Sequence, residues 1–144
     1  MTSRAGAARS ATRRSGRLTH ADRVLAHLRG QNKPLSAYQI LDDLRDEGVT
    51  AAVTVYRALD QLLAAGQVHR IESFNAWVAC RDPNHKEAPV FEICGDCGSV
   101  TEHVGTCLAQ GLADQSKHTG FVPEHSVIEI RGRCSECRPE ASSV

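Results

Sequence analysis

The sequence predicts an α+β chain of two units, on three observations. Between residues 18 and 66, apolar side chains recur at helical spacing in three short runs punctuated by Gly30, Gly48 and Gly66. Residues 68–79 read as two short strands around a polar turn. From residue 90 onward, a strand and helix pattern is bracketed by two Cys-x-x-Cys steps, Cys94-Gly95-Asp96-Cys97 and Cys134-Ser135-Glu136-Cys137, 36 residues apart. Three helices and a hairpin make an N-terminal winged helix-turn-helix, and the cysteine-bracketed segment makes a small C-terminal α/β domain around a four-cysteine zinc site.

Residues 1–16 hold Arg4, Arg9, Arg13 and Arg14 and no acid; apart from Met1 they are Arg, Ala, Ser, Thr and Gly. Nothing there can be buried, so a disordered basic arm is expected. The winged helix is expected over residues 17–80. Val24, Leu25 and Leu28 mark its first helix, which Gly30 ends. Ser36-Ala37-Tyr38-Gln39 reads as a capping box opening a second helix, with Ile40, Leu41 and Leu44 as its apolar stripe and Gly48 as its stop. Thr50 is positioned to cap a third helix, with Val55, Leu59, Leu62 and Leu63 on the buried face and Gly66 as its stop. Val68-His69-Arg70-Ile71 and Ala76-Trp77-Val78-Ala79 form the wing, with a turn at Ser73-Phe74-Asn75.

Residues 81–89 are polar, carry two prolines and are expected to be a hinge. The second unit, residues 90–144, should run strand (90–93), first Cys step, strand (99–103), helix (105–118), strand (126–131), second Cys step. Two thiols separated by two residues can turn onto one ion, and Gly98 supplies the tight turn such a knuckle needs. Two such steps complete the closed tetrahedral set of a structural zinc. A unit of this length has a thin core, and bound zinc contributes folding free energy on the order of 10 kcal/mol. The alternative is a pair of surface redox dithiols, although a thioredoxin-like motif normally occurs once.

The 17 basic and 17 acidic residues cancel, but not evenly along the chain. Residues 1–80 carry 11 Lys+Arg against 7 Asp+Glu, and residues 81–144 carry 6 against 10. A basic front half suits a polyanion, with a solvated surface as the alternative. No signal peptide and no apolar run near the length of a membrane span are evident, so reduced, metal-bound thiols in the cytoplasm are expected. With no nucleophile–base pair and no phosphate-cradling glycine loop, neither an enzyme nor a small-molecule substrate is expected.

On the third helix Thr54, Tyr56, Arg57 and Gln61 lie off the apolar face, where Arg can meet guanine edges or phosphate and Tyr can stack or reach the backbone. Tyr38 and Gln39 open the helix before it. These residues point to double-stranded DNA, against the alternative of a solvated helix surface. A second group, His69, Cys80, His85 and Glu102, straddles the boundary between the units and offers a mixed N/S/O tetrahedron. Its sulfur favours zinc over manganese or magnesium, with ferrous iron the nearer competitor. A lone buried cysteine and surface histidines are the alternative. Cys107 is expected to be a small core residue; His103, His118 and His125 remain, with His125 a candidate further ligand beside Glu102.

Ser36-Ala37-Tyr38, Thr54-Val55-Tyr56-Arg57-Ala58-Leu59 and Ile93-Cys94-Gly95-Asp96-Cys97-Gly98 closely resemble the ferric uptake regulator superfamily, over Leu18 to Cys137. Val68-His69-Arg70-Ile71-Glu72-Ser73, followed by Asn75 and Cys80, is similar to its zinc-sensing branch. The resemblance implies a homodimeric repressor that binds operator DNA when zinc is plentiful, with the C-terminal domain dimerising. It assigns structural zinc to Cys94, Cys97, Cys134 and Cys137 and regulatory zinc to His69, Cys80, His85 and Glu102, so two zincs per subunit. It places Tyr38 and Arg57 at base edges and Tyr56 near the backbone. Many relatives carry a His-x-His pair in the hinge, whereas Lys86 and Glu87 follow His85 here, which disfavours a further site at His125. An iron, manganese or peroxide sensor of the same superfamily, and a Cys-x-x-Cys thiol oxidoreductase, are the rival functions.

Overall fold

The computed structural model describes residues 16–84, 88–124 and 126–140. The expected basic arm, apart from Gly16, lies outside them, as do His85 and His125. The order is α1 (His20–Arg29), α2 (Ala37–Leu44) running into a single 3-10 turn (Arg45–Glu47), α3 (Ala52–Ala64), β1 (Val68–Ile71), β2 (Ala76–Ala79), β3 (Pro89–Cys94), β4 (Val100–Val104), α4 (Thr106–Thr119) and β5 (Ile128–Gly132).

Local chemistry sets these bounds. Thr19 caps α1 at Asp22, whose carboxylate returns to the Thr19 amide, and Ser36 and Gln39 do the same for α2. Gly48 closes the 3-10 turn in the left-handed region at φ 91°, where a β-carbon would be strained. Thr50 does not cap α3: the helix starts one residue later, from Ala51 in extended conformation with no side-chain cap. The buried stripe of α3 is Val55, Ala58, Leu59 and Leu62; Leu63, expected inside, falls at its edge and is 43% exposed.

The main core gathers α1, α2 and α3 around Val24, Ile40, Leu44, Val55 and Leu59, all 2% exposed or less, and takes in Val68 and Trp77 of the hairpin. β1 and β2 pair antiparallel, Val68 opposite Ala79 and Ile71 opposite Ala76. Leu35 joins β2 as a single bridge to Trp77, through bonds of 2.8 and 3.0 Å.

The second sheet has the order β4-β3-β5, with β3 antiparallel to β4 and parallel to β5. Register puts Glu102, Phe91 and Glu129 in one row, and Val100, Ile93 and Arg131 in the next, all on one face. Phe91 and Ile93 of that face pack with Ile71 of the wing in a smaller core, flanked by Val78, Val100 and Val127. At roughly 1.5–3 kcal/mol for each fully buried side chain, this cluster is a slender support. Helix α4 buries none of its residues within the chain, and Leu108 and Leu112 are each 42% exposed. Cys107 lies on this helix and is exposed, not in a core as expected: among the described residues, none on α4 is buried.

Candidate metal centres and nucleic-acid face

The first knuckle is made by the end of β3. The Cys94 carbonyl accepts from the Gly98 amide at 3.0 Å, the Cys94 amide donates to Ser99 at 2.9 Å, and Gly98 sits at φ 73°. The second knuckle closes through Cys137 and Arg138 amides on the Cys134 carbonyl, at 3.1 and 2.9 Å. The two meet because β3 and β5 are parallel neighbours: Cys94 pairs with Gly132, and the Gly95 amide donates to the Gly132 carbonyl at 2.9 Å. An Arg133–Asp96 ion pair at 3.2 Å adds a bond between the knuckles.

The result is one cluster. The sulfurs of Cys94, Cys97, Cys134 and Cys137 lie within 4.8 Å of one another, and all six cysteines are free of disulfides. The Cys97 and Cys134 sulfurs are 3.8 Å apart. A zinc–sulfur bond of about 2.3 Å implies a tetrahedral edge of about 3.8 Å, so the donors fit that ion. Backbone amides of Cys97 and Cys134 hold the Cys94 thiol down to about 6, and Ser99 lowers Cys97, whereas hydrogen bonds with Cys134 and Cys97 push Cys137 up to about 12. Cys94 and Cys137 are thus driven in opposite directions, and a bound dication would favour the thiolate form of its donors. Convergence of both steps on one point is at odds with two separate redox dithiols.

The second cluster bridges the two sheets. His69 lies on β1, Cys80 directly follows β2, and Glu102 is on β4. The Cys80 amide donates to the Gln67 carbonyl at 2.9 Å, which extends the hairpin ladder, and Cys80 is buried at 6% exposure. Glu102 Oε1 is 3.5 Å from Cys80 Sγ and 3.3 Å from His69 Nε2. Tetrahedral zinc with ordinary bond lengths calls for about 3.6 and about 3.4 Å, so these three donors also fit. The Arg81 amide donates to Glu102 Oε2 at 3.2 Å, and the His69 ring stands edge-on to Phe91 at 5.4 Å, fixing both ligands from behind.

Burial works against ionisation of Glu102, but hydrogen bonds from His69 and the Arg81 amide outweigh it and lower the carboxyl below its ordinary value. Burial and the charge of Glu102 together push the Cys80 thiol up to about 11. A cleft of about 390 Å³ opens onto Cys80 and Glu102 between Lys33 and Arg81 and provides an entry path. His85, the fourth expected donor, is outside the described residues. His103 is elsewhere, paired with Glu92 at 3.2 Å on the opposite face of the sheet, and His118 is exposed on α4.

The expected DNA-facing residues lie on α2 and α3. Tyr38 is 64% exposed at the start of α2, and Arg57 and Gln61 are exposed on α3 with Thr54 half-buried beside them. The Tyr56 ring meets Trp77 of β2 edge-on at 6.0 Å, and Arg70 lies over the same Trp77 ring at 5.7 Å. The carbonyl of the Gln39 side chain is committed to the Ser36 amide at 2.9 Å. One set of residues had no sequence signal at all: Glu129 and Arg131 on β5 reach the wing turn at Glu72, Ser73 and Phe74.

Against known proteins, no family profile matches the chain. It is 39% identical over 118 residues to the zinc uptake regulation protein of Escherichia coli K12, covering 79% of this chain and 68% of that protein. It is 33% identical over 106 residues to the protein of the same name from Mycobacterium tuberculosis CDC 1551, covering 72% and 79%. Among solved structures, a zinc uptake regulator complexed with zinc and DNA superposes with a TM-score of 0.79 at 37% identity, over 86% of this chain and 85% of that one. Holo XcZur superposes with a TM-score of 0.76 at 40% identity, over 86% and 88%. With winged helix, four-cysteine cluster and bridging His-Cys-Glu cluster arranged on that shared fold, the chain belongs to the zinc uptake regulator branch of the ferric uptake regulator superfamily.

Proposed function

We propose that the chain is a zinc-responsive repressor of zinc-uptake genes, which binds double-stranded operator DNA as a homodimer and has no catalytic role. The reading rests above all on the His69-Cys80-Glu102 cluster, whose donors come from both the wing and the second sheet. Zinc held there, with His85 completing the set, supplies a divalent charge that ties the two units together. A second zinc on Cys94, Cys97, Cys134 and Cys137 stabilises the C-terminal unit, making two per subunit.

The chain's own residues carry that tie to DNA. His69 and Cys80 sit on the two arms of the hairpin, Trp77 of the same hairpin packs on Tyr56, and Tyr56 sits beside Arg57 on α3. Fixing the hairpin on the sheet therefore fixes the direction of α3. Tyr38, Thr54, Tyr56 and Arg57 then meet the major groove and its flanking phosphates. The proposed division is a DNA-binding domain over 17–80, a hinge over 81–89 and a dimerisation domain over 90–144. Dimerisation through the C-terminal unit is supported by Val104, Leu108, Leu112 and Ile130, apolar side chains on β4, α4 and β5 that are 42–48% exposed among the described residues. A dimer held this way can set its two α3 helices about 34 Å apart, one turn of DNA.

Titrating zinc into the metal-depleted protein with a zinc-importer promoter fragment tests the reading. Operator affinity should rise with zinc and not with iron or manganese, in step with measured metal content. Affinity that responds to iron, or to no metal, would refute it.

A further inference from the structure

The row Glu102–Phe91–Glu129 places two carboxylates on the same sheet face, one on each side of a fully buried Phe91. Glu102 reaches the open end of the wing hairpin, where His69 and Cys80 lie. Glu129 reaches its closed end. There its Oε1 accepts from the Glu72 amide at 2.6 Å, and its Oε2 lies 3.3 Å from the Ser73 amide and also accepts from the Ser73 hydroxyl. The turn itself uses the next two amides, Phe74 onto Ile71 and Asn75 onto Glu72, which leaves the Glu72 and Ser73 amides for an outside acceptor. Two residues along β5 on the same face, the Arg131 guanidinium lies over the Phe74 ring at 5.4 Å. Between these polar contacts Ile71 packs on Phe91 and Ile93.

We propose that Glu129, supported by Arg131, is a metal-independent latch on the wing turn that positions His69 and Cys80 opposite Glu102 and so sets how tightly the bridging site holds zinc. The latch deepens the reading above, and its test does not depend on DNA. A carboxylate that engages the hairpin tip only in the docked arrangement favours that arrangement before zinc arrives. By linkage it raises zinc affinity by the factor with which it shifts that population. Glu129 is a positioning residue: it reaches the cluster only through the hairpin.

Chelator competition on the intact protein measures zinc affinity at the bridging site, with hydrogen exchange of the Glu72 and Ser73 amides followed in the zinc-free state. Glu129→Ala should weaken zinc at this site about 10-fold. It should speed exchange at both amides and leave zinc on the four-cysteine cluster in place. Glu129→Gln, which keeps one neutral acceptor, should fall between. Ser73→Ala, in an exposed turn, removes the hydroxyl donor alone and should weaken zinc binding by a smaller factor, which keeps the test open if Glu129→Ala does not fold. Unchanged zinc affinity in Glu129→Ala and Ser73→Ala, with or without faster exchange, overturns the latch. Wild-type protein that binds zinc but never gains operator affinity would instead overturn the repressor reading and leave the latch result standing.

Discussion

The two candidate metal clusters differ in where their donors come from, and on the proposed reading that difference separates a brace from a switch. The four cysteines belong to one small unit and are brought together by its own sheet, through the Gly95–Gly132 hydrogen bond and the parallel pairing of β3 with β5. His69, Cys80 and Glu102 come from two sheets that are not hydrogen-bonded into one. An ion among the cysteines steadies a unit whose apolar cluster is slender. An ion in the bridging cluster would instead, as proposed above, select one arrangement of wing against sheet. On the proposed reading, the four-thiolate set holds the structural ion and the mixed sulfur, nitrogen and oxygen set is the one that responds to supply.

Breaking each cluster in turn should give unlike failures. The largest effect is expected from Cys94→Ser, which removes one of four converging thiols: the C-terminal unit should lose its fold and the dimer should dissociate. Circular dichroism and sedimentation check this outcome. A folded Cys94→Ser dimer would move the structural role elsewhere.

Next in size is Glu102→Gln. It should lower zinc affinity at the bridging site on the order of 100-fold, the upper end of the loss typical of outer-shell partners, with secondary structure unchanged. It should also let the Cys80 thiol fall from about 11, because the neighbouring charge is gone while burial remains. Ultraviolet thiolate titration of the zinc-free protein reads that shift.

Arg57→Ala should cost roughly 1–3 kcal/mol at one operator position if the guanidinium meets a base edge, and lose affinity evenly across sequences if it meets phosphate. Binding to a panel of single-base operator variants separates the two.

Of similar or smaller size, per unit of change, is the expected effect of pH. Because the zinc-free Cys80 thiol sits at about 11, it is protonated throughout the neutral range and must release its proton when zinc binds. Apparent affinity at the bridging site should therefore fall about 10-fold for each unit of decreasing pH between roughly 8.5 and 7, a slope of about one proton from Cys80. Without metal the sign reverses. A thiol whose folded value is raised from 9.0 to about 11 contributes stability present below 9.0 and lost as pH rises toward 11. Equilibrium unfolding of the zinc-free protein across that window checks it.

Much of this comparison was legible in the sequence because its signals are local. The capping box at Ser36, the glycine stops and the Cys-x-x-Cys steps each act within a few residues, and they placed α1, α2 and the knuckles. The bridging donors were legible as types that span a boundary, while their convergence depends on β3–β4 register. Errors came where context decides. Thr50 lost the cap of α3 to Ala51, Leu63 fell at the rim of its helix stripe, and Cys107 lies on a helix that the described residues leave unburied. Glu129 was invisible for a different reason: its partners are backbone amides 56 and 57 residues away, and backbone carries no sequence signature.

The most direct test pairs wild type with Cys80→Ser in operator binding across buffered free zinc, with metal content measured on the same samples. Cys80→Ser should keep its four-cysteine zinc and its dimer, yet need far more zinc to bind DNA, or fail to bind it. Normal operator affinity with unchanged zinc dependence in that variant would contradict the claim that the bridging cluster is the switch.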